Sequence, residues 1–203
     1  MNKMLARERI LETAYRLFQE KGYDHVTINE ICEHCQLTKT AFYYHFDSKE
    51  SLLMHYYDDV TEKINQKSLA FVLADNYWEQ LLVIFEEILD SSDKLGVDIH
   101  SQLFIMNLKE DRGTFNFNQT LIDICVAVIG KAQDAGQIRN HAAAAELFQT
   151  AGFLFTGYEV MWCIKKGGFD RKQWVRQSLE VLFDVAPELS SAQRLDAGQI
   201  FRI

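Results

Sequence analysis

The segment from Thr27 to Lys49 most constrains the fold, because its spacing describes two short helices joined by a tight turn. Thr27 is followed three residues later by Glu30, which has the form of a capping box that opens the first helix. Apolar side chains then recur at the spacing of one helical face: Ile28, Ile31, Cys32 and Cys35. Gln36 interrupts this period, so the first helix is predicted to end there.

The second helix of the segment opens at Thr38, where Leu37 and Phe42 are spaced as a hydrophobic staple. Phe42 and Phe46 are four residues apart and are predicted to face the core together. Their burial turns the polar and aromatic neighbours partly or wholly outward: Lys39, Thr40, Tyr43, Tyr44 and His45. Two short helices of this kind predict a helix-turn-helix.

The order of residues across this segment resembles a known family. The run LTKTAFYYHF from Leu37 to Phe46, followed by SKESLL from Ser48, is similar to the DNA-binding signature of TetR-family transcriptional regulators. The resemblance covers roughly the first quarter to third of the chain. It implies an all-α protein in which a three-helix DNA-binding head is joined by a fourth helix to a larger helical body. The implied body dimerises and binds a small-molecule effector.

The resemblance also assigns the DNA-facing residues. Residues at the N-terminal end of a recognition helix enter the major groove, where Lys39 and Thr40 would lie. Thr27 and Asn29 stand at the start of the preceding helix, where free N–H groups attract phosphate oxygens. The complete predicted DNA-binding set is Thr27, Asn29, Thr38, Lys39, Thr40, Ala41, Tyr43, Tyr44, His45 and Lys49.

Two positions depart from the family pattern. Asn29 stands where the family often has a longer basic or polar residue. Gln36 occupies a turn position at which the family commonly has glycine, because the backbone is left-handed there. A non-glycine residue adopts that conformation at a cost of about 1 kcal/mol, so the turn is predicted to form with some strain.

Composition and charge limit what the rest of the chain can be. One proline in 203 residues favours long helices, and we predict a head at 1–47, a regulatory and dimerisation domain at 48–190 and a tail at 191–203. No signal region or membrane-length apolar run is evident, so a soluble cytoplasmic protein is expected.

Residues 1–49 hold seven of the 21 basic and seven of the 29 acidic side chains, which leaves 14 basic and 22 acidic side chains for the remainder. A neutral head on an acidic body predicts DNA contact at one end only, with weak non-specific affinity.

Helical periodicity predicts the remaining elements. The first helix is predicted from Leu5 to Lys21, with Gly22 as a left-handed cap, and the fourth from Ser48 into the sixties. A helix from Tyr77 is predicted to end at Asp90-Ser91-Ser92. The later predicted helices are Val97–Leu108, Gln119–Ala135, Ala142–Lys166 and Lys172–Phe183.

The last two predicted long helices carry more apolar surface than one core face requires. The first of the pair includes Leu147, Ala151, Leu154, Phe155, Tyr158, Met161 and Trp162. Such an excess suggests a self-complementary partner face. In TetR-like proteins the final two helices of each subunit build the dimer interface, so the resemblance implies a homodimer through this pair.

Cys32-Glu33-His34-Cys35 contains a C-x-x-C spacing with two readings. Zinc sites usually need four ligands, and no second pair lies at ligand spacing. Both cysteines fall on the buried stripe of their helix, where a thiol behaves as a small hydrophobe. No metal or other cofactor is therefore expected, although a thiol-based redox regulator that uses Cys32 and Cys35 stays open as an alternative function.

A set of aromatic and polar residues could line an effector cavity in the helical body. Small-molecule sites combine apolar walls with a few polar groups, and ordinary core packing is the competing interpretation for each residue. The candidates are His100, Phe104, Asn107, Cys125, Phe155, Tyr158 and Trp162. Because phosphate-loop, nucleophile-elbow and metalloprotease motifs are absent from the sequence, no enzyme is predicted. A helical enzyme or binding protein with a vestigial head remains the second alternative.

Overall fold

The computed structural model describes residues 3–54, 76–117 and 119–191. These residues form helices with short connections, and an isolated antiparallel bridge joins Ile138 to Val185. The all-α prediction is confirmed. Across these three ranges, none of the helices has both the length and the apolar character that spanning a bilayer requires. The helices are α1 Lys3–Lys21, α2 Ile28–His34, α3 Lys39–Tyr43, α4 Lys49–Met54, α5 Tyr77–Lys109, α6 Gln119–Asp134, α7 Ala144–Ile164 and α8 Arg171–Phe183.

The chain divides into two compact units. The described part of the first unit is residues 3–54 and 91–116, and that of the second is residues 76–90, 117 and 119–191. The sequence did not anticipate that residues 91–116 belong with the N-terminal helices. The domain boundaries near residues 47 and 190 remain predictions, and residues 192–203 of the predicted tail lie outside the described part.

The core of the first unit combines an apolar stripe of α1 with the aromatic pair Phe42 and Phe46. Phe42 is completely buried and Phe46 is almost so, with ring centroids 5.9 Å apart. The buried α1 residues are Ile10, Leu11, Ala14, Leu17 and Phe18. Because Phe18 also contacts the ring of Tyr23, the turn after α1 is part of this core.

Side-chain oxygens cap the N-termini of these short helices. The Ala41 N–H donates to Thr38 Oγ1 at 3.1 Å, and the Ser51 N–H donates to Ser48 Oγ at 3.1 Å. Each bond satisfies a backbone donor that the first turn of a helix leaves without a partner. Helix α4 is described only to Met54, so the rest of this predicted helix, which runs into the sixties, lies outside the described residues.

The turn between α2 and α3 has the hydrogen bonds of a Schellman motif. The Leu37 N–H donates to the Cys32 carbonyl at 2.9 Å, and the Gln36 N–H donates to the Glu33 carbonyl at 3.0 Å. Gln36 has φ 51°, so the predicted left-handed turn with a glutamine is confirmed. Gly22 also has a positive φ, but its ψ of 146° differs from the left-handed helical cap that was predicted.

The predicted end of a helix at Asp90-Ser91-Ser92 is wrong, because α5 continues to Lys109. Ser92 is buried within the helix, and tertiary packing overrides the weak preference of serine and aspartate for helix ends. The interruption lies instead at Gly96, whose φ of 80° and ψ of 164° are not helical. Gly96 was not predicted as an interruption of the helix.

The second unit is held together by an apolar stripe of α5 that packs against the two final helices. Phe85 contacts Phe155 of α7 at 5.8 Å, and Trp78 contacts Phe183 of α8 at 5.9 Å. The stripe of α5 is buried throughout: Leu81, Leu82, Phe85, Ile88 and Leu89. Helix α7 packs against both α6 and α8, so the long helices share one core.

A buried ion pair lies inside this second core. Arg171 Nη1 is 2.6 Å from Glu159 Oε1, and both side chains are 2% exposed. Arg171 Nη2 also donates to the Leu89 carbonyl at 3.1 Å, and the guanidinium stacks 3.9 Å from the Trp162 ring centre. One cation therefore joins α5, α7 and α8.

Replacement of Gln36 by glycine tests the strain in the turn. Gln36→Gly is expected to raise the free energy of unfolding by about 0.5–1 kcal/mol, because relief of the left-handed strain outweighs the added entropy of the unfolded chain. Urea unfolding measures the change. Glu12→Gly, at an exposed interior position of α1, is the control and should lower stability by about 1 kcal/mol. Equal losses in both variants would show that the turn is unstrained.

Candidate nucleic-acid interface

The first of the two short helices is fixed at its N-terminus by reciprocal contacts. The Glu30 N–H donates to Thr27 Oγ1 at 3.2 Å. The Glu30 carboxylate contacts the Lys21 ammonium, which together with the Thr27 N–H lowers the pKa of Glu30. The capping box read from the sequence is thus present. Thr27 and Asn29 are both exposed, and their predicted phosphate contacts stay predictions.

The second short helix exposes the face that the sequence assigned to DNA. The side chain of Tyr43 is 51% exposed and that of Tyr44 is 67% exposed, and Lys39 and Thr40 are also exposed. Ala41 and His45 are half-buried, and the His45 ring lies edge-on to Tyr44 at 5.2 Å. The burial of Phe42 and Phe46 sets this orientation. A lysine, a hydroxyl and two phenols therefore share one accessible surface.

Lys49 has a local role that the sequence did not indicate. Its ammonium donates to the carbonyls of Tyr23 at 2.9 Å and Val26 at 3.0 Å. The same ammonium lies 3.9 Å from the centre of the Tyr23 ring, which is a cation–π contact. Lys49 thus joins the start of α4 to the turn after α1. Its predicted phosphate contact remains a prediction.

Two arginines of α1 take part in the packing of the first unit. Arg9 donates to the Cys35 carbonyl at the end of α2. The Arg7 guanidinium lies 5.5 Å from the centre of the Phe46 ring. Arg16 forms an exposed ion pair with Glu20 at 3.0 Å. Only three-dimensional contacts reveal these roles, because surface and anchoring arginines look alike in the sequence.

The C-x-x-C pair lies in the core of the first unit. Cys32 is 5% exposed and Cys35 is 2% exposed, and Cys35 Sγ donates to the Arg9 carbonyl at 3.6 Å. Burial raises the pKa of Cys32, and the neighbouring Cys35 raises it further. A thiol with a raised pKa is a poor nucleophile. Within the residues that the structure describes, no cluster of three or more His, Cys, Asp or Glu side chains could hold a metal ion.

Three of the predicted effector residues lie on α5 in the first unit. His100 is completely buried and contacts Phe104 edge-on at 5.2 Å. Phe104 is stacked on Phe115, with centroids 4.3 Å apart and an interplanar angle of 8°. Asn107 donates to Thr114 Oγ1 at 2.9 Å. Phe115 was not among the predicted effector residues, although its position in the loop after an aromatic-rich helix could have indicated it.

The other four predicted effector residues belong to the second unit. Cys125 is completely buried, which raises its pKa to about 12. Phe155 packs on Phe85 of α5 and Trp162 lies under Arg171, so both are core residues of this unit. The Tyr158 hydroxyl is 2.7 Å from Ser178 Oγ on α8. The predicted set is therefore divided between the two units, and its effector role stays a prediction.

The N-terminal part of the chain is similar to known bacterial transcriptional regulators. Residues 10–56 match the family model of bacterial regulatory proteins of the tetR family. The uncharacterised HTH-type transcriptional regulator YuxN of Bacillus subtilis is 38% identical over 95 residues, which are 44% of this chain and 33% of YuxN. The negative transcriptional regulator IcaR of the Staphylococcus aureus biofilm operon is 44% identical over 46 residues, 23% of this chain and 25% of IcaR. The chain thus spans a third or less of these curated relatives.

Solved structures extend the likeness of fold over most of the chain. FadR of Thermus thermophilus, a TetR-family transcriptional repressor solved in complex with lauroyl-CoA, superimposes with a TM-score of 0.65. The match covers 94% of this chain and 100% of FadR at 20% sequence identity. At this identity the comparison establishes the fold alone.

Thiol alkylation tests the burial of the cysteines. At pH 8 in native protein, Cys32 and Cys125 are expected to react with iodoacetamide more than about tenfold slower than Cys163, since burial and a raised pKa both lower the thiolate available. Peptide mass spectrometry follows each site. All four cysteines should react at similar rates in denaturant. Rapid native labelling of Cys32 would show that the head opens around it.

Proposed function

We propose that this chain, which carries the DNA-binding domain of the TetR family, is a sequence-specific transcriptional regulator that does not act as an enzyme. The observation that carries the proposal is the exposed face of α3, whose lysine, threonine and tyrosines stand clear of the core. Recognition helices read base edges with side chains of this kind from their N-terminal turns. We place its action in the cytoplasm, where it would bind double-stranded DNA.

The charge distribution supports specific over general DNA binding. The head is electrically neutral and the remainder of the chain is acidic, so non-specific attraction to phosphate is weak. Affinity then depends on complementary contacts: base edges at Lys39, Thr40 and Tyr44, and phosphates at the flanking hydroxyl and amide groups. The salt dependence of binding should accordingly be shallow.

The outer surface of α7 supports the homodimer. Phe153 is 73% exposed and Ile164 is 63% exposed, and Gly157 and Val160 complete a stripe at spacings of four, three and four residues. On α8, Val181 is 66% exposed. A second copy related by a two-fold axis would cover this surface, so that the same residues of both subunits meet in the interface.

A two-fold dimer would present two recognition helices to successive major grooves, which favours a roughly palindromic operator. Repression by occupancy is the proposed mode, because IcaR is a negative regulator and FadR a repressor by their names. A small-molecule effector of unidentified chemistry would release the DNA by binding one conformation of the dimer more tightly. Its effect is limited by that difference in affinity.

The buried C-x-x-C pair supports a packing role over the redox alternative. Oxidation of Cys32 would require a thiolate that burial disfavours. The double variant Cys32→Ala/Cys35→Ala decides between the two, because an unchanged release of DNA by peroxide in that variant excludes these thiols as the sensor.

Selection of duplex DNA from a random pool tests the function directly. The dimer is expected to select a palindromic site, and Lys39→Ala or Tyr44→Ala should weaken binding to it by about tenfold, since one base or phosphate contact contributes about 1–3 kcal/mol. Fluorescence anisotropy at fixed salt gives the dissociation constants, and circular dichroism confirms folding. Lys109→Ala, an exposed lysine at the end of α5, is the control and should bind as the wild type does. Unchanged affinity in both α3 variants would remove the recognition assignment.

A charge placed on the outer surface of α7 tests the dimer. Phe153→Asp is expected to give a monomer at micromolar concentration, because an unpaired carboxylate in an apolar interface costs several kcal/mol. Analytical ultracentrifugation measures the mass. Leu108→Asp changes an apolar residue that is 86% exposed on α5, outside the proposed interface, and should remain dimeric. A dimeric Phe153→Asp variant, or a monomeric wild type, would contradict the assignment.

A further inference from the structure

Two hydrogen bonds attach the end of α1 to α5, one on each side of Gly96. The Gln19 side-chain amide donates to the carbonyl of Lys94, two residues before the glycine. The backbone N–H of Tyr23 donates to Asp98 Oδ2 at 2.7 Å, two residues after it. We name these two contacts the clasp. All of its residues belong to the first compact unit.

Gly96 is the point at which α5 can bend. Its φ of 80° and ψ of 164° interrupt the helix in a region that is open almost only to glycine. A Cβ at this position would meet no atom within 4 Å, so the backbone conformation requires glycine and space does not. Any change in the bend alters the separation between the Lys94 carbonyl and the Asp98 carboxylate. Because both bonds lead to the end of α1 and the turn after it, such a change strains at least one of the two contacts of the clasp.

Tyr23 is held from its other side by the start of α4. Lys49 donates to the Tyr23 carbonyl at 2.9 Å, and its ammonium lies over the Tyr23 ring. The Tyr23 ring also contacts Phe18 of α1, with centroids 5.0 Å apart. Asp98 thus binds a residue that contacts both α1 and α4, and α4 follows α3 and its exposed face. The alignment of these helices depends on where Tyr23 is held.

The segment of α5 beyond Gly96 carries both Asp98 and the aromatic cluster formed by His100, Phe104 and Phe115. His100 follows Asp98 by two residues and is completely buried. The Phe104–Phe115 stack ties this segment to the loop that follows α5. Because the segment is helical from Val97 to Lys109, a displacement of the cluster is transmitted to Asp98 as the motion of one rigid rod.

We propose that Asp98 is a positioning residue for DNA binding, which holds Tyr23 so that the clasp couples the bend of α5 at Gly96 to the geometry of the head. The inference rests on the proposed function. With the clasp formed, the head is preorganised and binds the operator at little conformational cost. A displacement of the segment beyond Gly96 that breaks the clasp would lower the fraction of heads in the binding geometry.

Variants of the clasp test the proposal on the DNA duplex that the wild type selects. Asp98→Ala, Gln19→Ala and Gly96→Ala are each expected to raise the operator dissociation constant by about tenfold, within the usual range of couplings between sites. Asp98→Asn retains an acceptor oxygen and should stay within about threefold of the wild type, since only the charge of the bond is lost. This rescue separates a hydrogen-bonding role from a general effect of the substitution.

Two measurements keep structural effects apart from positioning. Amide hydrogen exchange at Tyr23, read by nuclear magnetic resonance, should accelerate in Asp98→Ala and return toward the wild-type rate in Asp98→Asn. Gly130→Ala is the matched control for Gly96→Ala, because a Cβ at Gly130 also meets no atom within 4 Å but its backbone is helical. It should bind the operator as the wild type does. Gln19 is exposed, so Gln19→Ala is expected to fold normally.

Weakened binding in the three clasp variants, with rescue by Asp98→Asn, supports the proposal. Wild-type affinity or tighter binding in Asp98→Ala and Gln19→Ala, together with faster Tyr23 exchange, overturns it and leaves the regulator function intact. Failure of the wild type to select any duplex overturns the proposed function, and the role of the clasp in DNA binding with it.

Discussion

The burial of Phe42 and Phe46 is the constraint on which the exposed face of the head depends. Helix α3 has five residues, too few to be stable by its own hydrogen bonds. Each buried phenylalanine contributes about 1.5–3 kcal/mol relative to an exposed one, which holds the helix in a single rotation about its axis. Tyr43 and Tyr44, which lie between the two phenylalanines, consequently point away from the core. The accessible surface is thus a consequence of two apolar contacts.

Polar contacts then fix how the short helices meet. Thr27, Thr38 and Ser48 each accept a backbone N–H at the start of a helix. Arg9 and Lys49 donate to carbonyls at the end of α2 and in the turn after α1. Because these donors and acceptors bond to water in the unfolded chain, the net contribution of each hydrogen bond to stability is modest, about 0.5–1.5 kcal/mol. Together they select one arrangement among several that would bury the same apolar side chains.

The second unit uses charge in a different way. The ion pair between Glu159 and Arg171 lies in an apolar core, where either group alone would cost several kcal/mol. The pair is tolerated because the guanidinium also stacks on Trp162 and bonds the Leu89 carbonyl. A contact of this kind adds little stability over a well-packed apolar one, but it is satisfied in only one alignment of α5, α7 and α8. Helix alignment therefore depends on it more than total stability does.

The amino-acid sequence by itself determined the helical class, the two threonine caps and the outward direction of Tyr43 and Tyr44, whereas the left-handed turn at Gln36 was expected from the resemblance to the TetR family. These features are local, since capping residues and a period of three to four positions act within one or two helical turns. The tertiary structure alone decided the continuation of α5 past Ser92, the internal use of Arg9 and Lys49, and the separation of the predicted effector residues between two units. Those outcomes depend on which distant segment covers a residue, and no local pattern of charge or hydrophobicity encodes that information.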